Sequence, residues 1–204
     1  MINLNDPNYF KRTIKIFMMA IIIFLIAFIL SMIFSSSLET FKNTSNGISS
    51  ELSEAHGLNK VWHYILNNAI KVPFQMLVFS IIPIPFLYFL NIISTNVIMG
   101  IVFAFAIHLN FNKGIIMVMS SIPHSIVEII AMCFVLSGLY KINQSILRKV
   151  GNIFRKTKKK EISFKIALSD LFKVYLFIAL PLYILAAFLE TYFTSFIDRK
   201  STRL

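Results

Sequence analysis

The chain has 204 residues, of which 57% are hydrophobic and 14% charged, with a mean hydropathy of +0.75. Soluble domains carry roughly 45–50% apolar residues, so this excess, with its 21 Phe, excludes an ordinary soluble domain and reads as an all-α integral membrane protein. The net charge of +11 does not point to nucleic acid, because Lys and Arg flank apolar runs as orientation signals do. The single cysteine, Cys133, excludes an internal disulfide and a multi-cysteine metal site.

In chain order, a polar segment ends in Lys11-Arg12-Thr13, and Ile16 to Phe34 follows as an apolar run of 19 residues. That run exceeds the roughly 7–15 residues of a signal-peptide core, and Ser35-Ser36-Ser37 makes a poor cleavage site, so it reads as a retained first span at 16–34. Residues 35–60, with Glu39, Lys42, Glu51 and Glu54, read as a loop. Trp62 and Tyr64 sit where an interfacial aromatic belt belongs. A second span is expected at 72–90, kinked or broken at its ends by Pro73, Pro83 and Pro85. A third is expected at 92–109, with Asn96 and Gly100 on one face as helix-packing residues. Ile115–Met119 is too short to cross, so 114–122 is expected as a re-entrant piece packed against protein. The fourth span, 122–140, opens with Ser121-Ile122-Pro123, a helix-start pattern. The fifth, 174–193, is interrupted by Pro181. The expected architecture is therefore a single polytopic domain over 1–204 with about five transmembrane helices.

Residues 141–173 form a basic inner loop. Arg148, Lys149, Arg155, Lys156, Lys158, Lys159 and Lys160 are its candidates for contact with the lipid bilayer surface or a partner. Ile146, Leu147, Val150, Ile153 and Phe154 fall at helical spacing, which suits either a basic amphipathic helix on an anionic surface or a solvated loop. With the amino terminus inside, the inner side carries 13 basic residues: Lys11, Arg12, Lys15 and the ten between 141 and 173. The outer side carries the remaining 7 of the 20. This ratio favours a cytoplasmic amino terminus in a bacterial cell membrane. A sixth crossing within 110–122 would reverse the carboxy-terminal tail.

Under this topology the polar residues within apolar runs converge. Asn67, Asn68, Lys71, His124, Glu128 and Glu190 are expected in one layer near the outer face, with His124 and Glu128 at i, i+4 on one helix side. A charge in hydrocarbon costs at least roughly 2.5–3.5 kcal/mol, so such groups mark either helix-holding hydrogen bonds or a site, with Lys71 as the cation for Glu128 or Glu190. No catalytic, metal or cofactor motif accompanies them. His-Glu-x-x-His, Gly-x-Ser-x-Gly and a phosphate-binding Gly-rich loop are all absent. The expectation is a non-enzyme.

The Asn67-Asn68 pair, Asn96-x-x-x-Gly100, Pro123-His124-x-x-x-Glu128 and Leu189-Glu190-Thr191-Tyr192-Phe193-Thr194 resemble the stage II sporulation protein M family in order and spacing over roughly residues 10–195. Ser125 departs from a Gly in the family pattern. The resemblance implies a five-span, non-catalytic scaffold or assembly subunit, with other membrane proteins such as cell-wall hydrolases as partners. It also implies an alternative: a permease-like component for export, maturation or immunity of a circular bacteriocin, working with a separate ATPase subunit. Both readings allow a homo-oligomer.

Overall fold

The computed structural model describes residues 4–34 and 57–194. The expected 35–60 loop up to residue 56 and the basic tail at Arg199-Lys200 lie outside the described residues.

Every described element is helical, as a chain surrounded by hydrocarbon requires, because a helix satisfies its own backbone donors and acceptors. Helix α1 is Tyr9–Ile33. Helix α2 covers 58–81. It begins as Leu58–Tyr64, widens into a π-helix over Ile65–Lys71 and resumes as Val72–Ile81. Helix α3 is Leu87–Leu109, α4 is Phe111–Phe154 and α5 is Phe164–Thr194. Helix α5 contains π stretches at Tyr175–Ala179 and Leu189–Thr194.

The prolines account for much of this segmentation. Pro73 has no N–H for the carbonyl of Ala69 one turn earlier, and its ring crowds that carbonyl. The backbone widens there, and the freed Ala69 oxygen accepts the Tyr175 hydroxyl of α5. Pro83 and Pro85 end α2. Ile82 turns extended ahead of Pro83, and the chain reverses through an elbow at 82–86 into α3. Asn143 of α4 holds this elbow, its Nδ2 donating to the carbonyls of Ser80 at 2.9 Å, Ile82 at 3.1 Å and Ile84 at 3.4 Å.

Two expectations are corrected. First, among the described residues four helices, against the expected five, are long and apolar enough to cross a membrane: α1, α3, α4 and α5. The expected second span, 72–90, is split by the elbow. Helix α2 carries Asn67, Asn68, Lys71 and Gln75 along its length and is not among the four. Second, no re-entrant piece exists at 114–122, because those residues are early turns of the 44-residue α4. The turn that releases α4 from α3 is a single residue. Asn110 is extended, and its side-chain oxygen caps α4 by accepting from Lys113 N at 3.1 Å. Gly114 then lies directly against the backbone of Ala106 and Ile107, an approach only a residue without Cβ permits.

At about 1.5 Å per residue, α4 is roughly 66 Å long, twice a bilayer core of about 30 Å. Its last turns therefore leave the membrane on the side of the amino terminus. The helical stretch expected in the basic loop is this continuation of α4, ending at Phe154, rather than a separate helix lying on the surface. Residues 155–163 fold back on it. Asn152 pairs both ways with the Lys159 backbone at 2.9 Å, and Arg148 donates to Lys160 O at 2.9 Å.

Helix α1 packs along α3 and α4. Gly100 of α3 permits the close approach, since a Cβ there would fall 2.8–2.9 Å from Phe28 N, Ala27 Cβ and Phe24 O. At the amino-terminal end, a polar knot ties α1, α4 and α5. Tyr9 donates to Phe134 O at 2.9 Å and Ser137 donates to Tyr9 O at 2.8 Å. Arg12 donates to Ser137 O through two nitrogens and pairs with Asp6 at 2.7 Å, while Asn5 binds buried Asp170. At the opposite end, His108 Nε2 lies 3.1 Å from Met32 O.

Candidate functional site: a polar ladder inside the bundle

Helices α4 and α5 run antiparallel, and both place polar residues at i, i+4 spacing on facing sides. His124 of α4 meets Thr194 of α5, Nδ1 to Oγ1 at 3.4 Å, and Thr194 also donates to Ser120 O at 3.3 Å. One turn along, Glu128 lies within electrostatic range of Glu190. The spacing of four on both helices makes this a two-rung ladder.

Helix α2 completes it. Tyr64 lies within electrostatic range of Glu190, and Lys60, with its Nζ 5.9 Å from the Tyr64 ring centroid, is the cation within range of Glu190. Tyr183, about two turns before Glu190 on α5, faces Glu128 across the same interior. Its hydroxyl is buried without a hydrogen-bond partner among the described residues. His124, Glu128 and Glu190 are all part-buried.

Of the residues singled out from sequence, the structure brings together His124, Glu128 and Glu190. It does not place Lys71 with them. Lys71 is exposed on α2 and forms no hydrogen bond or ion pair with the described residues, and Lys60 takes the position foreseen for it. Asn67 and Asn68 pair with each other at 2.7 Å on the exposed side of α2. Because α4 begins at Phe111, Glu128 lies about 26 Å along it. Glu128 thus sits midway along α4 between Ser120 and Ser137. Asn67 and Lys71 are likewise in the middle of α2, not at its outer entrance.

Asn96 is wholly buried in α3. Its Nδ2 donates to Ile92 O at 2.7 Å while its Oδ1 has no partner among the described residues. Pro123 lies inside α4 without interrupting it. Arg155, Lys156 and Lys158 are exposed in the folded-back loop, and Lys149 is exposed at the end of α4.

Sequence reasoning missed Tyr64, Tyr183, Lys60 and Thr194 as members of the ladder. From the sequence Tyr64 reads only as a belt residue. A signal existed in Glu190-x-x-x-Thr194, which repeats the interval of His124-x-x-x-Glu128 on the opposing helix. Among the described residues, no three His, Cys, Asp or Glu side chains gather to hold a metal ion.

An all-helical bundle of several apolar helices around a polar interior defines a multi-pass membrane protein. The family model of stage II sporulation protein M matches residues 19–195, and the chain belongs to that family. No curated protein and no solved structure matches it.

Proposed function

We propose that this protein is a non-catalytic scaffold or assembly subunit of a bacterial membrane complex, and that it docks a partner membrane protein along α2. One observation carries the reading: Asn67, Lys71 and Gln75 recur every four residues on α2 and are all exposed. Tyr175, which reaches α2 beside Lys71, lies well inside the apolar helix α5, so this polar face runs at the depth of the spanning helices. A long Lys stem can carry its charge toward the interface. Asn67 and Asn68, one turn deeper with short side chains, have no such reach. Amides at this depth gain from interhelical partners, at about 0.6 kcal/mol per hydrogen bond on average. Gln75 already accepts from Asn91 of α3 at 3.2 Å, and the turns beyond it offer unused groups to a partner helix.

The reading predicts that affinity purification of the full chain from native membranes recovers a stable partner. The variant Asn67→Leu/Lys71→Leu/Gln75→Leu should retain its own expression and lose most of that partner. Recovery of the isolated chain in both cases would refute the proposal.

A second reading is favoured by the acid ladder. Glu128 of α4 and Glu190 of α5 approach each other beside α2, and both α2 and α5 carry π turns, which recur at functional positions. In that reading the protein is a permease-like component for export, maturation or immunity of a bacteriocin peptide, with a separate ATPase docked on the 155–163 loop. Peptide export should fall strongly in Glu128→Gln and on charge reversal at Lys158, Lys159 and Lys160. Export unchanged in both removes this reading.

A further inference from the structure

At the amino-terminal end of the bundle, a cavity of about 600 Å³ opens between the start of α1, the elbow at 82–86 and α4. Five cations line it: Lys11, Arg12, Lys15, Lys141 and Arg148. Two are already engaged. Arg12 holds Asp6 and Ser137 O and lies 4.9 Å over the Tyr140 ring, and Arg148 donates to the folded-back loop. Lys11, Lys15 and Lys141 form no hydrogen bond or ion pair with the described residues, so the concavity concentrates three uncompensated charges.

The rest of the lining is Ile16, Phe86, Phe89 and the Tyr140 ring, together with the amides of Asn8 and Gln144. Phe86, at its rim, has a φ of 63°, a conformation rare for a residue with a bulky side chain, and its ring is 61% exposed. The Asn143 clamp on the elbow carbonyls, together with a backbone bond from Phe89 N to Phe86 O at 2.9 Å, holds that backbone in place. The strained elbow therefore keeps an aromatic ring beside free lysines, at the level where α1 and α4 leave their apolar stretches. A soluble anion would use only the basic half of this lining. A phospholipid presents a phosphate and the root of an acyl chain together, and basic pockets between helices at a membrane interface suit such head groups.

We propose that this cavity binds the phosphate of an anionic phospholipid, with Lys11, Lys15 and Lys141 around the phosphate and Phe86 against the acyl-chain root. The test uses the full chain in neutral detergent, titrated separately with phosphatidylglycerol, phosphatidylcholine and inorganic phosphate, with thermal stability as the readout. Phosphatidylglycerol should raise Tm saturably and the other two should not. At about fivefold per surface lysine, Lys11→Gln/Lys15→Gln/Lys141→Gln should weaken the apparent affinity about a hundredfold. The matched charge change Lys156→Gln/Lys158→Gln/Lys160→Gln should leave it within about twofold. Lys11→Arg/Lys15→Arg/Lys141→Arg should keep binding, which separates lost charge from lost fold. Equal weakening in the two Gln variants would show a diffuse surface effect and overturn the site. Inorganic phosphate reproducing the Tm shift would assign the cavity to a soluble anion and overturn the lipid.

Discussion

Asn143 shows how one buried polar side chain organises a turn that proline has stripped of donors. Pro83 and Pro85 contribute no N–H groups; the Asn143 amide joins Ile84 N on the Ile82 carbonyl and is the donor on which the carbonyls of Ser80 and Ile84 depend. Asn143→Ala leaves those acceptors without a donor, at a cost of about 1–3 kcal/mol. A lowered Tm of the purified variant checks this, and an unchanged Tm would show that the elbow holds itself. Glu128 and Glu190 are a different kind of case. Each was visible as an acid in an apolar run, but their pairing required two helices to be laid antiparallel in the right register. The sequence spacing marked each rung. It did not supply Tyr64 or Lys60, because a tyrosine and a lysine near a helix start look like ordinary interfacial residues.

At the scale of elements, the helical class was legible throughout, since apolar runs this long admit little else. Boundaries were less so. Asn110-Phe111-Asn112-Lys113-Gly114 has the composition of a loop, yet it holds a one-residue turn followed immediately by helix. The reason is that Gly114 lets α4 fold back in contact with α3, a tertiary contact that local composition does not encode. Gly114→Val should lower stability by about 1–3 kcal/mol or more, because backbone rather than a movable side chain occupies the space. Denaturation of the variant in detergent measures it, and wild-type stability would mean the hairpin opens without cost. The opposite error occurred at 72–90, where apolar residues on both sides of Pro83 and Pro85 read as one span. The extended residue before a proline and the Asn143 clamp divide it.

For the whole molecule, the longer α4 and α2 set the polar groups along the length of the bundle helices. Two sets of polar residues then differ in kind. The ladder of His124, Glu128, Glu190, Thr194 and Tyr64 faces inward, with His124 against Thr194 and Glu128 and Tyr64 within electrostatic range of Glu190. The row of Asn67, Lys71 and Gln75 faces outward. An inward network holds helices in register. The proposed assembly role rests on the outward row of α2. The most direct test places a photo-reactive phenylalanine at Asn67 in native membranes, with Phe177, an exposed apolar position on α5, as the reference. The account predicts a discrete protein adduct from position 67 and only lipid adducts from position 177. Lipid adducts alone from both positions would contradict it.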